Sequence, residues 1–166
     1  MNRNLFFQPK YTIDTSALLT LMNEGEKYEK KVFKNLWNDF CKLCKDGIIV
    51  SHIEVFKEIK NGGMKEHIEW AKANKNIFQY YNLNGEVEVI REIGKMDAGF
   101  VKFLEQGKQK SVHADPWVVA QAKVEGLIVI IEERQNKNYR IPHVCRTLGV
   151  RSIDILGLVK EEKLTY

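Results

Sequence analysis

Cysteine, long apolar runs and a strong excess of charge are all scarce in this sequence. The three cysteines are an odd number, which is inconsistent with a complete disulfide framework. No apolar run reaches the length that crosses a bilayer, and the apolar part of residues 1–8 is too short for a signal peptide. We therefore expect a cytoplasmic protein without a membrane segment. The net charge of +4 permits a nucleic-acid partner and does not demand one.

The sequence also lacks internal repeats, linkers and low-complexity segments. A chain of this length can bury a substantial core as one unit, so we expect a single domain over residues 1–166. Cys41 and Cys44 form a C-x-x-C motif inside a helical pattern, and neither a second pair nor a histidine couple completes a zinc set. We interpret both as ordinary helix cysteines.

Short apolar segments alternate with helical patterns along the chain. Strand signals occur at residues 10–14, 48–50, 77–81, 127–131 and 150–153. Strands that are separated by helices indicate a parallel sheet, because a parallel connection has to cross over a face of the sheet. We predict an α/β protein with a central parallel sheet of about four to five strands and helices on both faces.

The starts of three helices can be predicted from residues that favour N-caps. Asp115, followed by Pro116, is predicted to cap a helix that ends at Gly126. Thr15 and Ser16 are predicted to cap the helix after the first strand. Ser51 is predicted to cap the helix after the second strand.

Acidic residues fall close to the points where these strands end. The four acids are Asp14 after the first strand, Glu58 in the helix after the second, Asp115 at a helix start and Glu133 after the fourth apolar segment. In a parallel sheet all carboxyl ends lie on one edge, so acids from distant segments can converge there. Clustered carboxylates repel unless a proton or a cation neutralises them. Oxygen ligands of this kind suit Mg²⁺ or Mn²⁺.

Residues 11–16 read Tyr-Thr-Ile-Asp-Thr-Ser, residues 55–59 read Val-Phe-Lys-Glu-Ile, and residues 115–133 run from an Asp-Pro-Trp start to a terminal Glu. In order and spacing these segments resemble the acidic motifs of PIN domains, the metal-dependent ribonuclease fold of VapC-type toxins. Ile131 stands where that family has threonine, and glutamate replaces its last aspartate. With these departures the chain resembles a bacterial PIN-like branch. The tryptophan after Asp-Pro and the segment 141–145 add to that resemblance. The resemblance covers nearly the whole chain.

The resemblance implies a three-layer α/β/α domain that hydrolyses RNA phosphodiester bonds with divalent metal, that is, an endoribonuclease. It implies that the metal ligands and catalytic residues are Asp14, Glu58, Asp115 and Glu133. It also implies the toxin of a toxin–antitoxin pair with an antitoxin protein as partner, and it leaves a homodimer open. The family's spacing favours Glu58 and Glu133 over their neighbours Glu54 and Glu132.

Two kinds of supporting residue have more than one interpretation. Ser16 either hydrogen-bonds a ligating carboxylate or a scissile phosphate, or it only caps its helix. Five basic residues are candidates for contacts to backbone phosphates, although plain solvation is the simpler interpretation of each: Lys108, Lys110, Arg134, Lys137 and Arg140.

Two other functions stay open at this point. The first is a PIN-like module that binds nucleic acid or a protein partner and has weak activity or none. The second is a metal-dependent phosphohydrolase or a structure-specific DNA nuclease on a related fold. Competing RNA, single-stranded DNA and flap substrates would distinguish these classes.

Overall fold

The computed structural model describes residues 8–105, 113–133 and 137–166. Five strands form one sheet: β1 Tyr11–Ile13, β2 Ile49–His52, β3 Phe78–Gln79, β4 Ile128–Ile130 and β5 Ser152–Ile153. The helices in these ranges are α1 Thr15–Met22, α2 Lys34–Lys45, α3 Ile53–Gly62, α4 Lys65–Ala73, α5 Leu83–Gly94, α6 Ala98–Glu105, α7 Asp115–Glu125, α8 Ile141–Thr147 and α9 Ile155–Glu162. A 3-10 turn at Lys75–Ile77 precedes β3.

The sheet is parallel throughout, in the order β3-β2-β1-β4-β5. This confirms the predicted α/β class with helices around a central parallel sheet. The chain builds outward from β1 to β3 on one side and then returns to add β4 and β5 on the other. A sheet of this order has its switch point between β1 and β4, where the carboxyl ends of strands leave a crevice that can hold a ligand.

The central strands are apolar because both of their faces are covered. Every residue of β1 is buried, and Ile13 pairs with Ile130 of β4. Helix α7 packs against both of these strands, and the Thr12 hydroxyl donates to Oε1 of Gln121 at 2.6 Å. Gly126 ends α7 in the left-handed conformation, with φ of 67°, as a helix-terminating glycine commonly does. This packing fixes the start of α7 beside the carboxyl ends of β1 and β4.

The predicted caps differ from the observed ones by one or two residues. Helix α7 begins at Asp115, and its N-cap is Ala114. The cap of α1 is Asp14, whose carboxylate accepts the backbone N–H of Ser16. Strand β2 extends to His52, and this histidine caps α3. The prediction of Asp115, Thr15, Ser16 and Ser51 as caps was therefore wrong.

No helix within the described ranges has the length and apolar character needed to cross a membrane.

Candidate functional site

Asp14 lies directly after β1 at the switch point and is only 3% exposed. One carboxylate oxygen, Oδ2, accepts from the Ser16 backbone N–H at 3.0 Å and from the Ser16 hydroxyl at 2.8 Å. The other oxygen, Oδ1, is buried and has no hydrogen-bond partner among residues 8–105, 113–133 and 137–166. Burial raises the pKa of the Asp14 carboxyl, against the opposing effect of the Ser16 hydrogen bonds. Ser16 thus orients a candidate ligand, as one of its two interpretations predicted.

Glu58 extends from the middle of α3 towards Asp14. The Thr15 hydroxyl donates to its Oε2 atom. Burial raises the pKa of the Glu58 carboxyl, and the charge of Asp14 raises it further. Thr15 was predicted only as a helix cap. Its role beside Glu58 could be foreseen only once β1 and α3 are known to be neighbours.

Glu54 lies one turn earlier in α3 and has a different environment. Its Oε1 atom is 2.5 Å from Nζ of Lys57 and accepts from the Tyr80 hydroxyl at 3.3 Å. The spacing of four residues places both glutamates on one helix face. The charge of Asp14 raises the pKa of Glu58.

Asp115 is the first residue of α7, and its carboxyl lies close to the other three acids. Burial raises the pKa of this carboxyl to about 8, and the charges of Asp14, Glu133 and Glu58 add to that effect. Nδ1 of His113 is 3.7 Å from the Asp115 Oδ1 atom. Three carboxylates from three other chain segments therefore act on Asp115.

Glu133 and Glu132 follow β4 and turn in different directions. Oε2 of Glu133 is buried and has no hydrogen-bond partner in the part of the chain that the structure describes. Burial raises the pKa of the Glu133 carboxyl, and the charge of Asp14 adds to this shift. Glu132 instead accepts the Ile155 backbone N–H at 2.8 Å and so supports the start of α9. The structure thus turns Glu133, and not Glu132, towards the other acids.

Within residues 8–105, 113–133 and 137–166, no three His, Cys, Asp or Glu side chains are already arranged to hold a metal ion. The charge of Asp14 raises the pKa of each of the other three acids, Glu58, Asp115 and Glu133. The buried, unpartnered oxygens of Asp14 and Glu133 are hard donors without a partner, as divalent ions such as Mg²⁺ or Mn²⁺ require. The donor set is therefore of the chemical kind that such a cation binds.

Positive charge reaches the acids from the segment before α8. Arg140 lowers the pKa of both Asp115 and Glu133, and Lys137 has the same effect on Glu133. Both residues were predicted as phosphate contacts, and both lie on the acidic side of the sheet. The other three predicted contacts lie outside the described residues: Lys108, Lys110 and Arg134.

Lys27 is a basic residue near this edge that the sequence did not reveal. Its pKa is raised chiefly by a hydrogen bond with Tyr28, and the charges of Glu132 and Asp154 contribute. It belongs to the segment between α1 and α2. Lys27 adds a cation beside the residues that follow β4 and β5.

The fold and the site define a class of protein: a parallel α/β domain with an acidic centre at the switch point of its sheet. A family model described as "Domain of unknown function (DUF4411)" matches residues 11–166, so the chain belongs to the DUF4411 family. No curated protein matches the sequence.

Proposed function

We propose that this protein is a divalent-metal-dependent endoribonuclease with a PIN-like fold, acting in the cytoplasm. One observation carries the proposal: acids from three other segments raise the pKa of Asp115, and Asp14 and Glu133 each have a buried oxygen without a partner in the described residues. A purely structural cluster of acids would be expected to have basic partners or hydrogen-bond donors for these atoms. The arrangement instead favours a bound cation.

The residues that would hold Mg²⁺ or Mn²⁺ are Asp14, Glu58, Asp115 and Glu133. The chemistry that a bound cation of this type supplies is charge neutralisation at a phosphate and a lowered pKa of water. A site made of oxygen donors matches the hard cations used in phosphodiester hydrolysis.

The protein's own residues contribute orientation and proton control. Ser16 and Thr15 fix the carboxyls of Asp14 and Glu58 by hydrogen bonds. Burial beside the other acids raises the pKa of Asp115 to about 8, which favours the protonated form of this carboxyl in the absence of a cation. Arg140 and Lys137 lie beside the acids, where they can bind the phosphates that flank the scissile bond.

We expect the purified protein to cleave a mixed RNA pool with added Mg²⁺ or Mn²⁺ and to lose all cleavage in excess chelator. The reason is that four acids without a cation repel an anionic phosphodiester. Gel analysis and sequencing of the products measure this directly. Asp14→Asn protein, purified in the same way, controls for a contaminating nuclease.

The other outcomes of that assay distinguish the remaining classes. Undiminished cleavage in excess chelator would rule out the metal mechanism. RNA binding without cleavage would favour a module that has lost activity. Preferred cleavage of flap DNA in a competition with RNA would favour a structure-specific DNA nuclease.

The toxin role and the antitoxin partner rest on the PIN-like resemblance alone. Growth arrest on expression of the wild-type protein, relieved by Asp14→Asn, would support that role. Inhibition by the product of an adjacent small reading frame would support the partner.

A further inference from the structure

His52 is a fully buried histidine at the end of β2, outside the group of acids. Its Nδ1 atom accepts the backbone N–H of Glu54 at 3.1 Å and so caps α3, the helix that carries Glu58. Because Nδ1 accepts a hydrogen bond, the ring proton of the neutral imidazole lies on Nε2. One nitrogen is therefore committed to the start of α3.

The other nitrogen reaches a second helix. Nε2 of His52 lies 3.1 Å from Oε2 of Glu86, and neither side chain has any exposed surface. Glu86 belongs to α5, which packs along α7. Its Oε1 atom has no partner within the described ranges. Burying a polar pair that is only partly satisfied is costly, so a gain in stability does not explain it.

The face of the imidazole contacts a third helix. The ring of His52 stacks on Trp117 of α7 with centroids 5.4 Å apart and planes at 15°. Trp117 is two residues after Asp115. Tyr80 meets the same imidazole edge-on, with centroids 5.3 Å apart. The ring is thus held between α7 and the segment after β3.

We propose that His52 is a positioning residue of the acidic centre, which sets α3 against α7 so that Glu58 and Asp115 face one site. A single imidazole touches the start of α3, the side of α5 and the first turn of α7. Two of these helices carry two of the four acids: α3 carries Glu58 and α7 carries Asp115. The role of this histidine in cation binding rests on the proposed function, and its role in setting α7 does not.

His52→Asn is designed to keep the cap of α3 and to remove the contacts with Glu86 and Trp117. Asparagine is a good N-cap and can accept the Glu54 N–H, but it lacks the ring that stacks on Trp117 and reaches Glu86. We expect a folded variant whose affinity for Mn²⁺, measured by calorimetric titration, falls roughly ten- to a hundredfold, as for other residues that orient ligands. We also expect faster hydrogen exchange at the Val118 amide, which donates to the Ala114 carbonyl at 3.0 Å.

His67 provides a matched control. It is also buried, at 3% exposure, and its Nδ1 accepts the Met64 backbone N–H at 3.2 Å at the start of α4. Its Nε2 lies 2.6 Å from Oδ1 of Asn23. His67→Asn therefore removes a similar buried ring from a helix start that carries none of the four acids. We expect its Mn²⁺ affinity and its Val118 exchange to match the wild type.

A second pair of variants changes Trp117, the α7 partner in the stacking contact with His52. These variants test the positioning role if His52→Asn does not fold. Trp117→Leu removes the stacking face and should reproduce the loss of Mn²⁺ affinity, whereas Trp117→Phe keeps an aromatic face and should restore most of it.

Several results would overturn the positioning role. These are wild-type Mn²⁺ affinity in His52→Asn or Trp117→Leu, unchanged Val118 exchange in His52→Asn, or an equal loss of affinity in His67→Asn. If the wild-type protein binds no Mn²⁺, the proposed function fails. Val118 exchange then decides alone whether His52 sets α7: faster exchange supports that role and unchanged exchange contradicts it.

Discussion

Asp115→Asn is expected to abolish RNA cleavage and to leave a folded protein that is more stable than the wild type in the absence of metal. The carboxyl is buried next to three other acids, so ionising it in the folded protein is costly. Asparagine has nearly the same shape and removes that cost, but it supplies only one neutral oxygen to a cation. Cleavage assays and denaturant unfolding in chelator measure the two effects.

The stability difference should depend on pH in a defined direction. Folding raises the pKa of Asp115 from 3.8 to about 8, so the folded state binds the proton more tightly than the unfolded state. The wild type therefore loses stability as the pH rises through this window, at about 1.4 kcal/mol per unit of pKa shift that the unliganded protein retains. Asp115→Asn cannot titrate here, and its advantage in free energy of unfolding should grow from pH 4 to pH 8. A constant difference, or a variant that unfolds, would instead show that the carboxyl is structural.

Asp14→Asn should behave in the same way, with a smaller gain in stability. Its carboxylate accepts two hydrogen bonds from Ser16 as the cap of α1, and asparagine is also an effective cap. Because burial raises the pKa of Asp14, its replacement also removes a cost. Cleavage should be lost.

The second large effect distinguishes the glutamates within each neighbouring pair. Glu58→Gln and Glu133→Gln are each expected to reduce cleavage by more than the roughly ten- to hundredfold that follows loss of an orienting residue. The charge of Asp14 raises the pKa of both carboxyls, and Oε2 of Glu133 has no partner in the described residues. Measured cleavage rates and Mn²⁺ affinities should fall together.

Glu54→Gln and Glu132→Gln serve as matched controls and should stay near the wild type. Glu54 pairs with Lys57, so its loss affects a local contact in α3. Glu132 accepts the Ile155 N–H, and the glutamine oxygen can replace that acceptor. A larger loss in either control than in its neighbour would reverse the assignment of ligands for that pair.

Much of the fold could be predicted because its signals are local. The apolar segment that contains β4 has no polar alternation, which is typical of a strand covered on both faces, and Asp14 immediately follows β1. Convergence of the acids then follows from the parallel topology. The strand order could not be derived from these patterns, although it places Asp14 and Glu133 after adjacent strands across the switch point.

The capping errors have physical causes that local patterns do not contain. Ala114 is itself helical, with φ of −77° and ψ of −27°, so Asp115 lies inside the helix and its carboxyl is close to the other acids. His52 still pairs with Gln79, which extends β2 and shifts the start of α3. The contacts of His52 with α5 and α7 depend on packing between segments that are distant in the sequence. No motif could have revealed them.

The most direct test of the account is the position of Mn²⁺ in crystals of the protein, located by anomalous scattering. The account predicts a peak among the carboxyls of Asp14, Glu58, Asp115 and Glu133, which is lost in Asp115→Asn crystals and retained in Glu132→Gln crystals. Saturating Mn²⁺ without a peak at these carboxyls, or a peak that persists at full height in Asp115→Asn, would contradict it.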